Sequence, residues 1–241
     1  MRSKILQEIK IFLFKNHIFY FCPVHVNNWQ KMYETARNIA EKLLNIQAIK
    51  LSVENPFTWA SGWKSPIYCD NRLSLSFPEI RSYIKDCLTA VIKSSFTDVK
   101  AIAGVATAGI PQGALVADSL DLPFIYVRSK PKGHGMENMI EGKITPNQKV
   151  VVIEDLVSTG GSSLKAIEAL RSNEFDVLGM VSIFTYGFEI AEENFKKAGV
   201  KFISLSSYND LISEALFLKY ITEEQIESLE KWREDPGNWG R

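Results

Sequence analysis

The chain has 241 residues, 46% of them apolar and 23% charged, with 28 Lys and Arg against 28 Asp and Glu. That is enough chain for one full hydrophobic core, at the composition of a globular protein. The even charge balance gives no electrostatic footprint for nucleic acid or for an anionic membrane surface. The three cysteines, Cys22, Cys69 and Cys87, are far apart and odd in number. They form neither a disulfide framework nor a Cys-x-x-Cys zinc pattern, which points to a reducing, cytoplasmic setting.

Residues 1–31 read as foreign to the rest. Ile9 to Val24 is apolar and aromatic, but Lys15, Asn16 and His17 interrupt it, and the unbroken part is too short for a membrane span. The apolar core and small-residue cleavage site of a signal peptide are not evident either. His17 and His25 flank Cys22 at a spacing that fits no common zinc site. We read 1–31 as a non-native or poorly ordered extension, with Met32 as the natural beginning. The alternative is an amphipathic segment that packs on the domain or lies on a membrane. Residues 32–241 are expected to form a single domain.

From Met32 onward helices and strands alternate. Ala36, Ile39, Ala40 and Leu43 stand at helical spacing within Tyr33 to Leu44. Short strands are expected at Ile49 to Val53, Phe57 to Trp59 and Ile67 to Cys69. Pro78, well placed in a first helical turn, opens a helix to about Ser94. Ala101 to Val105 reads as a buried strand, Gln112 to Ser119 as a helix and Pro123 to Val127 as a strand. Ser129 to Asn147 is poor in apolar residues and rich in glycine, and reads as a long loop. Val150 to Ile153 is a run of β-branched residues, expected as a strand buried on both faces and ending at two carboxylates. A helix from Leu164 to Leu170, a strand from Val177 to Phe184, a helix from Glu189 to Ala198 and a strand from Lys201 to Leu205 follow. Helices at Asn209 to Leu218 and Glu223 to Arg233 close the chain. This alternation predicts an α/β fold with a mainly parallel central sheet flanked by helices. Ligands of such sheets sit beyond the carboxyl ends of the strands.

The densest chemical signal is Glu154-Asp155-Leu156-Val157-Ser158-Thr159-Gly160-Gly161-Ser162. A strand that empties into a turn of glycines and hydroxyls at a helix N-terminus can hold a phosphate, through backbone N–H groups, hydroxyls and the helix dipole. The two acids would repel phosphate; they suit sugar hydroxyls, which carboxylates accept as charge-assisted hydrogen bonds. Acids for a ribose beside amides for its 5′-phosphate describe a phosphoribosyl pocket. Neither a P-loop nor a dinucleotide Gly-x-Gly-x-x-Gly fingerprint is present.

The segment resembles the phosphoribosyl pyrophosphate motif of the type I phosphoribosyltransferases. Two further segments resemble the orotate branch of that family: Phe57 to Arg72, with its Ser61-Gly62 turn and Ser65-Pro66 step, and the loop Arg128 to Gly142. Gly104 to Pro111 fits the family's pyrophosphate loop. Two cations of the family pattern are missing, with Ala60 and Ser129 in place of Lys, and Lys64 and Lys130 nearby. Thr107-Ala108 stands where some members have Tyr-Lys, which leaves the backbone to bind.

The resemblance implies a type I phosphoribosyltransferase fold with a small N-terminal hood and a flexible catalytic loop. It implies transfer of phosphoribose from phosphoribosyl pyrophosphate to orotate through an oxocarbenium-like transition state. Arg128, Lys132 and His134 are then the catalytic residues, facing the departing pyrophosphate. Glu154 and Asp155 hold the ribose hydroxyls, and Leu156, Val157, Ser158, Thr159, Gly160, Gly161 and Ser162 complete the phosphoribosyl site. Ser158 and Tyr68 reach the orotate. Mg²⁺ is expected as cofactor, held by pyrophosphate and ribose oxygens rather than by a protein cage. A homodimer with lids shared across the interface is implied, with no nucleic-acid or membrane partner. Two rivals stay open: a purine or uracil phosphoribosyltransferase, and a regulatory protein that binds the ligand without turnover.

Overall fold

The computed structural model describes residues 26–59, 62–130 and 139–240, with side chains from 32 onward. The chain divides into two units, Met1–Lys31 and Met32–Arg241, and the second carries the sheet and the site. Cys22, His17 and His25 lie outside the described residues.

The first described helix, α1 (Val26–Asn45), leads into four short strands: β1 (Ile49–Leu51), β2 (Phe57–Thr58), β3 (Lys64–Ser65) and β4 (Ile67–Cys69). They pair antiparallel as β1 with β4 and β2 with β3. A 3₁₀ turn, Asn71–Ser76, joins them to α2 (Pro78–Ser95). The rest alternates as expected: β5 (Ala101–Val105), α3 (Gly109–Leu120), β6 (Phe124–Val127), β7 (Ile140–Glu141), β8 (Lys149–Val157), α4 (Gly161–Ser172), β9 (Asp176–Thr185), α5 (Glu189–Lys197), β10 (Phe202–Ser207), α6 (Tyr208–Phe217) and α7 (Glu223–Glu234).

The last six strands form one sheet in the order β10-β9-β8-β5-β6-β7. Every pairing in it is parallel except that of β6 with β7. The strand β7 falls inside the segment expected to be loop. Ile140 is buried against Val127, and this pairing caps the sheet edge. A second difference is that β8 does not end at its acids. Its ladder with β9 runs on through Leu156 and Val157, so Glu154 and Asp155 lie within the strand.

Strand β8 shows why the sheet needs two helical layers. Val150 and Val152 belong to one buried cluster, with Ala166 and Leu170 of α4 and Phe195 of α5. Val151 and Ile153 belong to the other, with Leu43 of α1, Leu88 of α2, Val116 of α3 and Trp232 of α7. Successive side chains of a strand point to opposite faces, so an unbroken apolar run is what a doubly covered strand requires. Among the described residues no helix is long and apolar enough to cross a membrane.

Connectivity sets the site. From β5 the chain moves outward to β6, and from β8 it moves the other way to β9 and β10. The reversal falls between β5 and β8, which are hydrogen-bonded neighbours. A crevice opens beyond the carboxyl ends of strands at such a switch point.

Candidate active site

A cavity of about 360 Å³ lies at that switch point. Its floor is Val105 to Ala108 after β5, its wall is Glu154, Asp155, Leu156 and Ser162 from β8 and α4, and its rim is Cys69, Asp70 and Arg72 after β4. A larger groove of about 540 Å³ runs along the outer side of α4 past Lys165, Glu168 and Arg171. It holds neither acid of the motif nor any part of the β5 loop, so the chemistry belongs to the smaller cavity.

The two acids differ in setting. Glu154 is buried, with its carboxylate accepting from the Asp155 backbone N–H and the Ser163 hydroxyl, both at 3.1 Å. Asp155 lines the cavity. Burial pushes the Glu154 carboxyl well above the usual range, and the Asp155 carboxylate beside it adds to the effect. Burial also raises Asp155, against hydrogen bonds from Glu154 and the backbone and the weaker pull of Arg72.

Beyond β8 the chain turns at Gly160, whose φ of 79° is left-handed and whose Cβ, if present, would stand 3.0 Å from the Phe195 ring. Glycine answers both constraints. The helix α4 starts at once, so Gly161, Ser162 and Ser163 occupy its first turn, where backbone N–H groups have no helical partner. The Thr159 carbonyl accepts from Asn194 Nδ2 at 3.2 Å, which ties the turn to α5. Ser158 and Thr159 are half-buried. The Val157 side chain is buried in the core, and its carbonyl accepts from the Thr185 hydroxyl. Only its backbone can serve a ligand.

The remaining expected residues are more scattered. Arg128 ends beyond β6 and pairs with Glu141 of β7 at 3.3 Å; it is absent from the cavity lining. Lys132 and His134 lie outside the described residues, as does Ala60. Tyr68 is exposed beside Phe57, with ring centres 5.7 Å apart, while the next residue, Cys69, faces the cavity. Lys64 donates to the Thr58 hydroxyl and stays outside the cavity. Trp59 packs between Tyr186 and Trp232 and donates to the Ile67 carbonyl, a packing role.

Two site residues stand out only in three dimensions. Asn71 is buried, and its Nδ2 donates to the Asp155 carbonyl at 2.8 Å while its Oδ1 faces the Cys69 thiol at 3.3 Å. It pins the β4 turn to the strand that carries the acids. Arg72 follows it at the rim. The polar run Asp70-Asn71-Arg72 directly after a strand is the only local signal for either.

A switch-point crevice with paired acids and a glycine-turned helix start fits a phosphoribosyl ligand, and comparison with known proteins fixes the family. Residues 75–212 match the phosphoribosyl transferase domain family. The orotate phosphoribosyltransferase of Cytophaga hutchinsonii is 59% identical over 203 residues, 84% of this chain and 97% of that protein. The chain belongs to the orotate phosphoribosyltransferases. A solved orotate phosphoribosyltransferase from Aeropyrum pernix superposes with a TM-score of 0.67 at 32% identity, over 76% of this chain and 99% of that one. The solved UMP synthase of Leishmania donovani superposes with a TM-score of 0.68 at 27% identity, over 82% of this chain and 42% of that longer one. Within the orotate phosphoribosyltransferase fold, the short strands β1 to β4 occupy the place of the expected hood, and Asn71 is their tie to the core sheet.

Proposed function

We propose that the switch-point cavity transfers the 5-phosphoribosyl group from phosphoribosyl pyrophosphate to orotate, giving orotidine 5′-monophosphate and pyrophosphate, in pyrimidine biosynthesis. The observation that carries this reading is the meeting of Glu154, Asp155, the α4 start and the β5 loop in one cavity. The 5′-phosphate sits on the first turn of α4, at Thr159 to Ser162, and the ribose hydroxyls donate to Glu154 and Asp155. Pyrophosphate lies over Ala106 to Ala108, where backbone amides do the binding. The C1–O bond to pyrophosphate breaks as the bond from C1 to the orotate nitrogen forms, and the proton of that nitrogen passes to the departing pyrophosphate or to solvent. No covalent enzyme intermediate is needed; orientation and charge stabilisation carry the rate. Arg128, Lys132 and His134 act on the leaving pyrophosphate. For Arg128 this requires release from Glu141, an exchange of one carboxylate for a more highly charged anion. Ser158 and Tyr68 serve the orotate side.

Among the described residues no three potential metal ligands come together. The oxygens at hand are those of Glu154 and Asp155, Asp70 being paired with Arg72, and those the substrate brings, a hard-oxygen set that fits Mg²⁺. When bound, Mg²⁺ supplies neutralisation of the pyrophosphate charge. Neither Cys69 nor Cys87 is in a disulfide, which fits a cytoplasmic location.

Base choice tests the reading. Orotate carries a carboxylate that uracil lacks, and a site built to pair it leaves donors unsatisfied with uracil. Loss of orotate absorbance with phosphoribosyl pyrophosphate and Mg²⁺ is expected, with little turnover of uracil, adenine or hypoxanthine. Equal or better use of a purine would sink the assignment, and binding without turnover would favour a regulatory protein.

The shared-lid homodimer is part of the same proposal and has its own test. A mixed dimer pairs one subunit carrying Lys132→Ala with one carrying Asp155→Asn. With lids acting across the interface, one site is rebuilt intact and the other carries both lesions. About half of wild-type activity should return, since separated lesions act independently. No recovery over the parent homodimers would refute the shared site.

A further inference from the structure

We propose that Arg72 holds the carboxylate of the pyrimidine base and thereby selects orotate over bases that lack it; this rests on the orotate reading above. Three carboxylates, Asp70, Glu154 and Asp155, line the cavity, and Arg72 is the one cation on its described lining. An anionic base entering among three acids needs a local positive charge, because an unpaired carboxylate is costly to desolvate. The other cations near the expected base site are committed elsewhere: Lys64 to the Thr58 hydroxyl at 2.9 Å and Arg128 to Glu141 at 3.3 Å.

Arg72 is also held in a form suited to the task. Asp70 accepts from its backbone N–H at 3.3 Å and from its Nε at 2.6 Å. That pairing uses the inner edge of the guanidinium and sets its plane. The terminal Nη1 and Nη2 donors have no protein partner among the described residues, and the side chain is 59% exposed. Two parallel N–H groups on a planar fork match a planar carboxylate in bidentate fashion, which an ammonium cannot do. Position agrees with chemistry. Asn71, the preceding residue, is bonded to the Asp155 carbonyl, so the fork stands one residue from a fixed point on the strand that holds the ribose. A base attached to C1 of that ribose extends toward this rim.

Orotidine 5′-monophosphate and uridine 5′-monophosphate differ only in the carboxylate, so their binding isolates the Arg72 contact from the phosphoribosyl contacts. Titration calorimetry on the full chain is expected to show the wild type binding the orotidine nucleotide more tightly. Arg72→Gln should weaken the orotidine nucleotide at least tenfold, in line with loss of a charged hydrogen-bond pair, and leave the uridine nucleotide within about threefold. Arg72→Lys, which keeps charge and stem but loses the fork, should fall between, and stands in if the Gln variant does not fold. Parallel weakening of both nucleotides would assign Arg72 to the phosphoribosyl or pyrophosphate side and overturn the proposal, as would no change in either. A wild type that turns over uracil as readily as orotate would instead overturn the orotate reading, and that result is visible before any variant is made.

Discussion

Asp155→Asn, and separately Glu154→Gln, should cut kcat/KM for phosphoribosyl pyrophosphate by roughly 10- to 150-fold while leaving the unliganded fold at least as stable. The first half follows from chemistry. A hydrogen bond to a charged group contributes about 1.5–3 kcal/mol, and the amide keeps shape but loses the charged acceptor for the ribose hydroxyls. The second half follows from burial. Both carboxyls sit above their usual range because the protein desolvates them. A carboxyl raised in the folded state is protonated there at pH values where the unfolded chain has already ionised. The folded protein then binds more protons, so stability falls as pH rises from the ordinary carboxylate range through the raised folded values. The stabilising contribution is present at lower pH and lost above it. The neutral variants lack the group and so lack that loss. Thermal melts from pH 4 upward should show a shallower decline for either variant, and activity assays the opposite ranking. A variant that is less stable than wild type at neutral pH, with unchanged kinetics, would mean the acids serve the fold and not the ligand.

Gly109→Ala should lower both stability and activity, and Gly109→Val more so. A Cβ at this position would lie 2.5 Å from the Ile153 carbonyl oxygen and 3.4 Å from the Glu154 Cα. Both neighbours are backbone of the central strand, so neither can swing aside. The helix α3 must lift off the sheet, carrying the β5 loop with it. Overpacking of this kind costs about 1–3 kcal/mol, a fall of roughly 2–12 °C in Tm for a domain of this size. Because the lifted segment forms the cavity floor, KM for phosphoribosyl pyrophosphate should rise further than KM for orotate. Equal changes in the two KM values would show that Gly109 serves packing alone.

The sequence was legible where local pattern and global role coincide. Val150 to Ile153 reads as a doubly buried strand because both of its faces are covered. Glu154, Asp155 and Gly160 to Ser162 announce themselves because strand, turn and helix start follow one another within nine residues. Where a neighbour decides, local pattern misleads. Acids are poor strand formers, so the strand reads as ending at them; pairing of Val157 with Thr185 carries it past. The helix α3 starts at Gly109 rather than Gln112, because Gly and Pro, weak inside a helix, are tolerated in its first turn. The two residues of β7 have no period to detect and are called into pairing by the edge of β6. Asn71 reaches a carbonyl 84 residues away, and no spacing rule encodes that distance. The site was therefore readable as a list of motifs, but the tie between β4 and β8, and the direction in which Arg72 is held, belong to the folded chain.

Strands β5 and β8 are adjacent rungs of one hydrogen-bonded ladder. Where they pair, their backbones thus run about 4.8 Å apart, a spacing set by peptide geometry and indifferent to side chains; β8 then continues to Val157, past the end of β5 at Val105. The turn proposed for the 5′-phosphate follows β8, and the floor proposed for the pyrophosphate follows β5. On that proposal the sheet acts as a gauge block: it measures the span between the two anionic ends of the substrate with parts that mutation cannot rescale. Side chains on the floor are then free to vary, those of Thr107 and Ala108 among them. A ligand whose phosphates lie farther apart or closer together than those of phosphoribosyl pyrophosphate would meet one anchor and miss the other.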